Sequence, residues 1–418
     1  MLVQSIPYPA GGGAPPGDVV FAANDFETGT ATGAQSFTSP TISGVTPKGV
    51  MVFWPTQKVS EEPGESPVMN CGISFIQGTN DMFGVAFSRD NVASPESVRM
   101  YHNNKAINAF NISGSTVKQA TGQTASGGVE LNFSQNTDVS YRWAFTAFAG
   151  ADTSCFVGSL DLGTGTSAID ITAPAFTPDV ILTILTGNTG SNALNGDLYF
   201  SFGIVTNEGG TYAQRCFAWS EDDNAADPNP KMSISTNRGA AKIADTDGVK
   251  LYDLLFNNFD ANGFDITPSA SAGGDDLFYM AIKFNGRSHK LVAFDTPTGT
   301  GTFDISGAGF TPSYALLIMT NLEVVDDFSS RAASNAQGGF SICSICADEQ
   351  WSASHRIEAT GAANSNTGNQ LASGVIAPSA TDCDAFAATF TQFTNDGVRL
   401  NVIATQGTAK KCFALLVQ

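Results

Sequence analysis

The chain has 418 residues, of which 39 are acidic and 20 are basic, so its formal net charge is −19. This charge repels phosphate backbones and anionic lipid, so we expect neither nucleic acid as a partner nor membrane insertion. No stretch approaches the roughly 18 apolar residues that a membrane-spanning helix requires. The length suggests two to four domains of about 100 to 200 residues, each able to bury a core without disulfide or metal staples.

The first 17 residues are predicted to form an extended arm. Pro7, Pro9 and the glycines at 11–13 interrupt regular structure there. The segment also lacks the basic stretch that opens a secretory signal, so we do not expect it to be one. We expect residues 1–17 to help anchor the protein by contacting a neighbour.

Three short motifs recur along the rest of the chain with a period of about 134 residues. The first is a residue followed by Thr-Pro and then an apolar run, and it begins at Val45, Phe176 and Phe310. The second is a glycine that opens an alternating apolar and polar strand, at Gly128, Gly263 and Gly397. The third is an aromatic residue followed by Ser, at Phe87, Trp219 and Trp351. Because the three motifs keep nearly the same spacing, they indicate three copies of one structural unit.

The period divides the chain into repeat 1 (18–152), repeat 2 (153–288) and repeat 3 (289–418). Each repeat opens on a short apolar strand and a Thr/Gly turn, and closes on an aromatic-rich strand. About eight candidate strands of four to eight residues, separated by Gly, Asn, Asp, Ser and Pro, fit into each repeat. The predicted fold is therefore all-β, with three tandem antiparallel β-sandwich domains of jelly-roll-like type.

The motifs also predict which strand faces are buried. The run after Thr-Pro is apolar at successive residues, which is typical of a central strand covered on both sides. The strand after each motif glycine alternates, so Val129 and Leu131 and their counterparts should face a core while Glu130, Asp265 and Arg399 face water. The stretch 249–259 fits either a helix or a strand with Val249 and Leu251 inward, and the pattern does not decide between them.

The seven cysteines are odd in number and irregularly placed, so a disulfide framework is not expected. Cys343 and Cys346 form a CxxC motif, but it lies in an apolar strand-like run with no second pair of zinc ligands. Residues three apart on a strand point to opposite faces. Buried, reduced thiols are the better interpretation.

No catalytic, metal or cofactor site is predicted. The histidines His102, His289 and His355 fall at different places in their repeats, so the repeats share no histidine site. Carboxylate pairs occur at 222–223, 275–276 and 326–327, but adjacent strand residues point apart, and solvated turn residues are the better interpretation of these polar stretches. Oxygen-rich loops at 221–224 and 260–262 offer calcium ligands without matching a known loop spacing, and solvated turns explain them more simply.

The aromatic-Ser motif is the best candidate for ligand recognition. Trp219 and Trp351 could offer flat faces to sugar rings, and Phe87 occupies the same position in repeat 1. Asp90 and Asp222 follow the motif and could hydrogen-bond sugar hydroxyls. Aromatic residues buried in a sandwich core would leave the same pattern, and this interpretation competes with the first.

Together, the Thr/Gly-rich opening strand, the Thr-Pro step, the aromatic-Ser step and the Gly-led strand resemble β-sandwich modules of virion proteins in tailed bacteriophages. The resemblance extends over residues 18–418 and rests on short, degenerate motifs. It implies a structural role as a capsid decoration, head fibre or tail-associated component, with other virion proteins as partners and assembly in the host cytoplasm. It brings no catalytic residues.

We therefore expect a non-enzymatic virion protein, most simply a capsid decoration whose three sandwiches pack as a pseudo-threefold unit. One alternative is a carbohydrate-binding adhesin or tail-fibre module that recognises host glycans through the aromatic-Ser positions. Another is a polysaccharide-degrading enzyme that uses an acidic pair in one specialised repeat. An acidic surface would keep an abundant coat component from adhering to the genome.

Overall fold

A computed structural model describes residues 19–418 apart from 56–68, 80, 90–96, 111–114, 137–138, 189, 191–193, 223–229, 330–336, 348, 361–363 and 380–381. The predicted arm at 1–17 lies outside the described residues. Apart from one 3-10 turn at Pro40–Ile42, every regular element in the described part is a β-strand, so the all-β prediction is confirmed. No helix in the described part has the length and hydrophobicity to cross a membrane.

The strands of repeat 1 form a larger and a smaller antiparallel sheet. The larger has the order β1-β10-β3-β4-β5-β6, and the smaller has the order β2-β9-β8-β7. The strand bounds are β1 Val20–Glu27, β2 Gly33–Thr38, β3 Gly49–Phe53, β4 Met69–Gln77, β5 Asp81–Arg89, β6 Ser97–His102, β7 Ile107–Phe110, β8 Thr116–Ala125, β9 Gly128–Gln135 and β10 Arg142–Ala149.

Repeat 2 has the same architecture, with sheets β11-β21-β13-β15-β16-β17 and β12-β20-β19-β18. The strand bounds are β11 Thr153–Asp161, β12 Ile169–Ile171, β13 Val180–Leu185, β14 Asn195–Gly196, β15 Leu198–Asn207, β16 Tyr212–Glu221, β17 Lys231–Ser235, β18 Ala240–Ile243, β19 Lys250–Phe259, β20 Phe264–Pro268 and β21 Asp276–Phe284. The additional two-residue strand β14 pairs with β6 of repeat 1 instead of joining a sheet of its own repeat.

Repeat 3 repeats this order as β22-β31-β24-β25-β26-β27 and β23-β30-β29-β28. The strand bounds are β22 His289–Asp295, β23 Gly301–Ser306, β24 Tyr314–Thr320, β25 Gln337–Cys346, β26 Gln350–Thr360, β27 Asn364–Ala372, β28 Val375–Ala377, β29 Phe386–Thr394, β30 Gly397–Ala404 and β31 Lys411–Val417. In all three repeats the first strand lies beside the last, as in a jelly roll. The larger sheet then continues as a meander of consecutive strands.

The strand after each Thr-Pro step is buried on both sides, as its apolar run predicts. Every residue of β3, β13 and β24 is buried. In β24, Ala315 and Leu317 face the core of their own sandwich, whereas Leu316 and Ile318 face a second core. Successive apolar residues are needed here because each strand contributes to two cores.

The Gly-led strands β9, β20 and β30 alternate as predicted, with the first two apolar side chains of each strand buried and Glu130, Asp265 and Arg399 partly exposed. The structure also explains the motif glycines. An added Cβ at Gly128, Gly263 or Gly397 would lie 2.1, 1.7 or 1.9 Å from a carbonyl oxygen of the neighbouring strand. No side chain fits at that distance, so these three positions require glycine.

The undecided stretch 249–259 is a strand, β19, with a bulge between Phe256 and Asn258. The predicted inward residues were wrong: Val249 is 37% and Leu251 is 45% exposed, while Tyr252, Leu254 and Phe256 are buried. A one-residue shift of a strand exchanges its two faces, and the apolar residues in this stretch permit either register.

The three larger sheets turn their second faces toward one another and enclose a shared core. Aromatic rings meet across each pair of repeats. Phe87 lies 4.6 Å from Phe200 between repeats 1 and 2, Phe217 lies 4.6 Å from Phe340 between repeats 2 and 3, and Tyr314 stacks 4.6 Å from Phe21 between repeats 3 and 1. The repeats therefore form a closed cycle around one hydrophobic centre.

Candidate functional site

The aromatic-Ser residues lie in the shared core. Phe87, Trp219 and Trp351 are 1%, 3% and 0% exposed. Phe87 and Trp219 are 6.2 Å apart across the junction between repeats 1 and 2, and Trp351 donates its indole N–H to the carbonyl oxygen of Phe145 in repeat 1, at 2.9 Å. None of the three offers an exposed ring face on which a sugar could stack. These positions are therefore packing residues, and the interpretation of them as sugar-recognition residues is wrong.

Of the two acidic candidates beside this motif, the structure describes Asp222. Asp222 directly follows β16 and is half-buried. Asp90 lies outside the described residues, as do the residues that follow Asp222 in the oxygen-rich loop at 221–224. The described part of the chain therefore shows no sugar-binding surface at the predicted positions.

The adjacent carboxylates at 275–276 make different contacts, as expected for neighbours that point apart, but Asp275 is only 2% exposed, so the interpretation as solvated turn residues is wrong there. Asp275 accepts hydrogen bonds from the Lys242 ammonium at 2.8 Å and the Tyr252 hydroxyl at 2.6 Å. Asp276 accepts a hydrogen bond from Tyr101 of repeat 1, and burial raises the pKa of Asp276 above its ordinary range. The pair thus links elements of the fold.

The second oxygen-rich loop forms a compact turn. The Asp260 carboxylate accepts hydrogen bonds from the backbone N–H groups of Asn262 and Gly263, both at 2.8 Å. Asp170 and Asp265 lie close enough to Asp260 for one cation to contact all three carboxylates. Asp260 is already used by the turn, and exposed acidic groups commonly lie together without a metal.

The three histidines occupy unrelated environments. His102 is 8% exposed and lies beside the Met100 sulfur, and the His355 ring packs 5.1 Å from that of Trp219. His289 places its Nε2 atom 2.7 Å from the carbonyl oxygen of Asn207, at the junction of repeats 2 and 3. The structure places each histidine in a packing or junction contact.

All seven cysteines are free and buried. Cys343 faces the core of repeat 3 and Cys346 faces the shared core, so the CxxC residues point to opposite faces as predicted. Burial raises the pKa of Cys216 to about 12, and it raises the pKa values of Cys71 and Cys155 further. Thiols in this environment are poor nucleophiles and poor metal ligands at neutral pH.

The most regular polar feature is a contact that recurs at all three junctions. The first strand of each larger sheet is an edge strand with unpaired backbone groups. Three equivalent N–H groups on these edges donate to a side chain from the preceding repeat in the cycle. The pairs are Val157 to Gln77 at 2.8 Å, Leu291 to Glu208 at 2.8 Å, and Ala23 to Glu349 at 3.2 Å. We call these contacts the edge clasps.

Each edge clasp is strengthened by at least one further hydrogen bond. The Gln77 amide also donates to the carbonyl oxygen of Cys155 at 2.7 Å. Glu208 accepts from the Lys290 ammonium at 2.5 Å, and Glu349 accepts from the Ser39 hydroxyl at 2.5 Å. The clasps occupy donors that would otherwise be open to strand pairing with another chain.

A second type of contact covers the opposite sheet edge at two junctions. In repeat 1, β14 pairs with the edge strand β6. In repeat 2, the Asp326 N–H donates to the carbonyl oxygen of Ile234 on the edge strand β17 at 2.8 Å. Asp197 and Asp326, one in each covering loop, have φ values of 55° and 54°. Aspartate is among the few non-glycine residues that adopt this left-handed conformation readily.

Arg99 fixes the first of these loops to repeat 1. Its guanidinium donates to the carbonyl oxygens of Gly196 at 2.5 Å and Gly187 at 3.0 Å, and it lies 4.6 Å from the centre of the Tyr199 ring. Only 6% of Arg99 is exposed. A planar guanidinium carries several fixed donors, so it can hydrogen-bond several backbone carbonyls at once.

No protein-family model and no curated protein matches the sequence. Among solved structures, the chain is similar to the crystal structure of the LG1-3 region of the laminin alpha2 chain, at 7% identity with 96% of each chain covered and a TM-score of 0.09. A similarity at this TM-score carries no argument about fold or function.

The junction residues Gln77, Glu208 and Glu349 were not predicted from the sequence. They lie in or next to hairpin turns of different length and chemistry, so no common motif identifies them. One signal was available: several strands of the larger sheets, such as β4 and β25, carry apolar residues on both faces. One sandwich core needs only one apolar face per strand, so two apolar faces indicate a second buried surface.

Proposed function

We propose that the protein is a non-enzymatic structural component of a bacteriophage particle, most simply a capsid decoration or head-surface protein whose repeats form a pseudo-threefold unit. The observation that carries the proposal is the closed cycle of three sandwiches around a shared core, with an edge clasp at every junction. A heterologous interface that closes after three units generates a ring. Here a single chain supplies all three units.

A body of this kind suits a position of threefold symmetry on a larger assembly. Icosahedral shells contain such positions, and one chain with three similar faces can occupy one of them. The sequence resemblance to phage virion modules favours the same setting. Residues 1–17 would add an anchor to a neighbouring subunit.

The side-chain chemistry is compatible with this role. The seven buried thiols suit folding in a reducing cytoplasm, where the particle would assemble. The net charge of −19 disfavours adhesion to the packaged genome. The buried Asp275 and Arg99 side chains and the half-buried Asp276 side chain hold parts of the fold together.

The alternative glycan-binding role relied on Phe87, Trp219 and Trp351. Because their rings pack against other repeats, a glycan could stack on them only after the shared core opened. These three residues therefore do not support a glycan-binding role.

The proposal is tested by quantitative mass spectrometry of purified phage particles. We expect the protein at many copies per particle, in a fixed ratio to the major shell protein and retained through a density gradient. Particles that are infectious and complete but lack the protein would refute the proposal. Locating its density in an image of the particle then distinguishes the head surface from the tail.

A further inference from the structure

The turn between the first and second strand is equivalent in the three repeats. It begins with the same backbone hydrogen bond in each, from Thr28 to Tyr141, from Leu162 to Asp275 and from Thr296 to Lys410, at 2.9, 3.0 and 2.9 Å. Two residues further along, each turn carries two threonines around one small residue. These Thr-x-Thr loops are residues 30–32, 164–166 and 298–300, and their spacing follows the repeat period.

All six threonines in the Thr-x-Thr loops are exposed. Their hydroxyls make no hydrogen bond to the described part of the chain. The small central residues are not required by the backbone either, because Gly165 and Gly299 do not have a positive φ. A Cβ at Gly299 would meet nothing within 4 Å, and one at Gly165 would meet only a backbone nitrogen at 3.9 Å.

Equivalent core positions have changed between the repeats, whereas the six exposed threonines have not. The Thr-Pro step makes Val50, Ile181 and Ala315 equivalent, and these three fully buried residues differ in size. The motif glycines Gly128, Gly263 and Gly397 are the same in all three repeats because an added Cβ would collide with the neighbouring backbone. The threonines of the Thr-x-Thr loops are the same in all three repeats without such a reason inside the described part of the chain, which points to a contact outside it.

We propose that the three Thr-x-Thr loops are docking sites for a protein partner that presents three symmetry-related surfaces. In a closed cycle, equivalent loops lie at the same level around the centre, so three matching surfaces can engage them together. The small central residue permits close approach of a partner backbone, and the flanking hydroxyls can donate to its carbonyls and accept from its N–H groups. Uncharged loops of this kind suit protein backbone better than phosphate or a cation.

This inference rests on the proposed function, and the partner would then be the shell protein around a threefold position. The experiment produces particles in cells that supply one variant in place of the wild-type protein, and counts copies per particle by mass spectrometry. The docking variant carries Thr30→Arg, Thr164→Arg and Thr298→Arg. The matched control adds the same charge at three other exposed threonines, as Thr211→Arg, Thr246→Arg and Thr389→Arg.

We expect at least a tenfold loss of the docking variant from particles, with the control retained at the wild-type level. Circular dichroism and the unfolding midpoint of both purified variants should match those of the wild type, because all six positions are exposed. The three single Arg variants should reduce incorporation to a similar degree, since a symmetric partner engages each loop alike.

Three results would overturn the inference. They are incorporation of the docking variant at the wild-type level, an equal loss of the control variant, or dependence on one loop alone. In each case the presence of wild-type protein in particles would leave the proposed function intact. Absence of the wild-type protein from particles would refute both. As an independent readout, hydroxyl-radical footprinting should show the Thr-x-Thr loops protected in particles and reactive in the free protein.

Discussion

The edge clasp between repeats 3 and 1 makes the sharpest prediction about stability, because no peptide linker joins these two repeats directly. Glu349 accepts from the Ala23 N–H and the Ser39 hydroxyl, and both donors belong to residues that are almost fully buried. Hydrogen bonds to a charged acceptor contribute about 1.5–3 kcal/mol each, and a buried donor left without a partner costs about 1–3 kcal/mol. Glu349 is half-buried, so water can replace part of the loss. We expect Glu349→Ala to lower the free energy of unfolding by about 2–4 kcal/mol.

Two further variants separate the acceptor from its charge. Glu349→Gln keeps one carbonyl acceptor for the Ala23 N–H, and the Ser39 hydroxyl can accept from the new amide instead of donating. Gln77 performs this role at the equivalent clasp, so we expect Glu349→Gln to lose about 1 kcal/mol or less. Glu27→Ala, an exposed position on the same edge strand, is the control and should change stability by less than about 0.5 kcal/mol.

The assay is urea denaturation followed by tryptophan fluorescence and by circular dichroism. Because the shared core joins all three repeats, both probes should report one transition, and the variants should shift its midpoint without changing its slope. An unfolding free energy for Glu349→Ala equal to that of Glu27→Ala would refute the reasoning. A Glu349→Gln variant as unstable as Glu349→Ala would show that the charge matters more than the hydrogen bonds.

Four further outcomes are expected. Trp351→Phe should lower the free energy of unfolding by about 2–3 kcal/mol, because it removes the indole hydrogen bond and leaves a space in the core. An unchanged midpoint in urea denaturation would contradict the place of Trp351 in the core. Gly263→Ala should lower the free energy of unfolding by more than about 3 kcal/mol. In the control Gly299→Ala the added Cβ lies in open space, so the free energy of unfolding should fall by less than about 0.5 kcal/mol. Burial lowers the pKa of Lys118 to about 8 from the usual 10.5, so between these pH values the unfolded chain binds a proton that the native chain has released. Stability relative to Lys118→Met should therefore rise by about 2–3 kcal/mol from pH 8 to 10.5, and a flat difference would contradict the lowered pKa. A thiol reagent should label no cysteine within minutes in the native protein and seven in urea, and rapid native labelling would contradict the burial of the thiols.

Patterns that depend on one strand and its period were predictable from the sequence. The two-sided burial of β3, β13 and β24 followed from successive apolar residues, and the faces of β9, β20 and β30 followed from strict alternation. The opposite faces of Cys343 and Cys346 followed from their spacing. In each case the information lies within a few neighbouring residues.

Features that depend on contacts between repeats were not predictable. The same aromatic-Ser pattern fits an exposed platform or a core, and the choice depends on whether another sheet covers it. Which face of β19 is buried depends on its register, because Leu251 and Leu255 are apolar on one face and Tyr252 and Leu254 are apolar on the other. The edge clasps use an amide at one junction and carboxylates at the other two, so their equivalence is visible only from the backbone N–H groups that they share.

Because the edge clasps join repeats of one chain, they affect how the molecule behaves on dilution and how the sequences of its junctions can diverge. Three separate subunits held by such contacts would dissociate as their concentration fell, whereas tethered units meet at an effective concentration set by their linkers. A homotrimer must also carry the same residue at all three junctions. The single chain is free of that rule, and Gln77, Glu208 and Glu349 show that each junction has acquired its own chemistry while the ring remains closed.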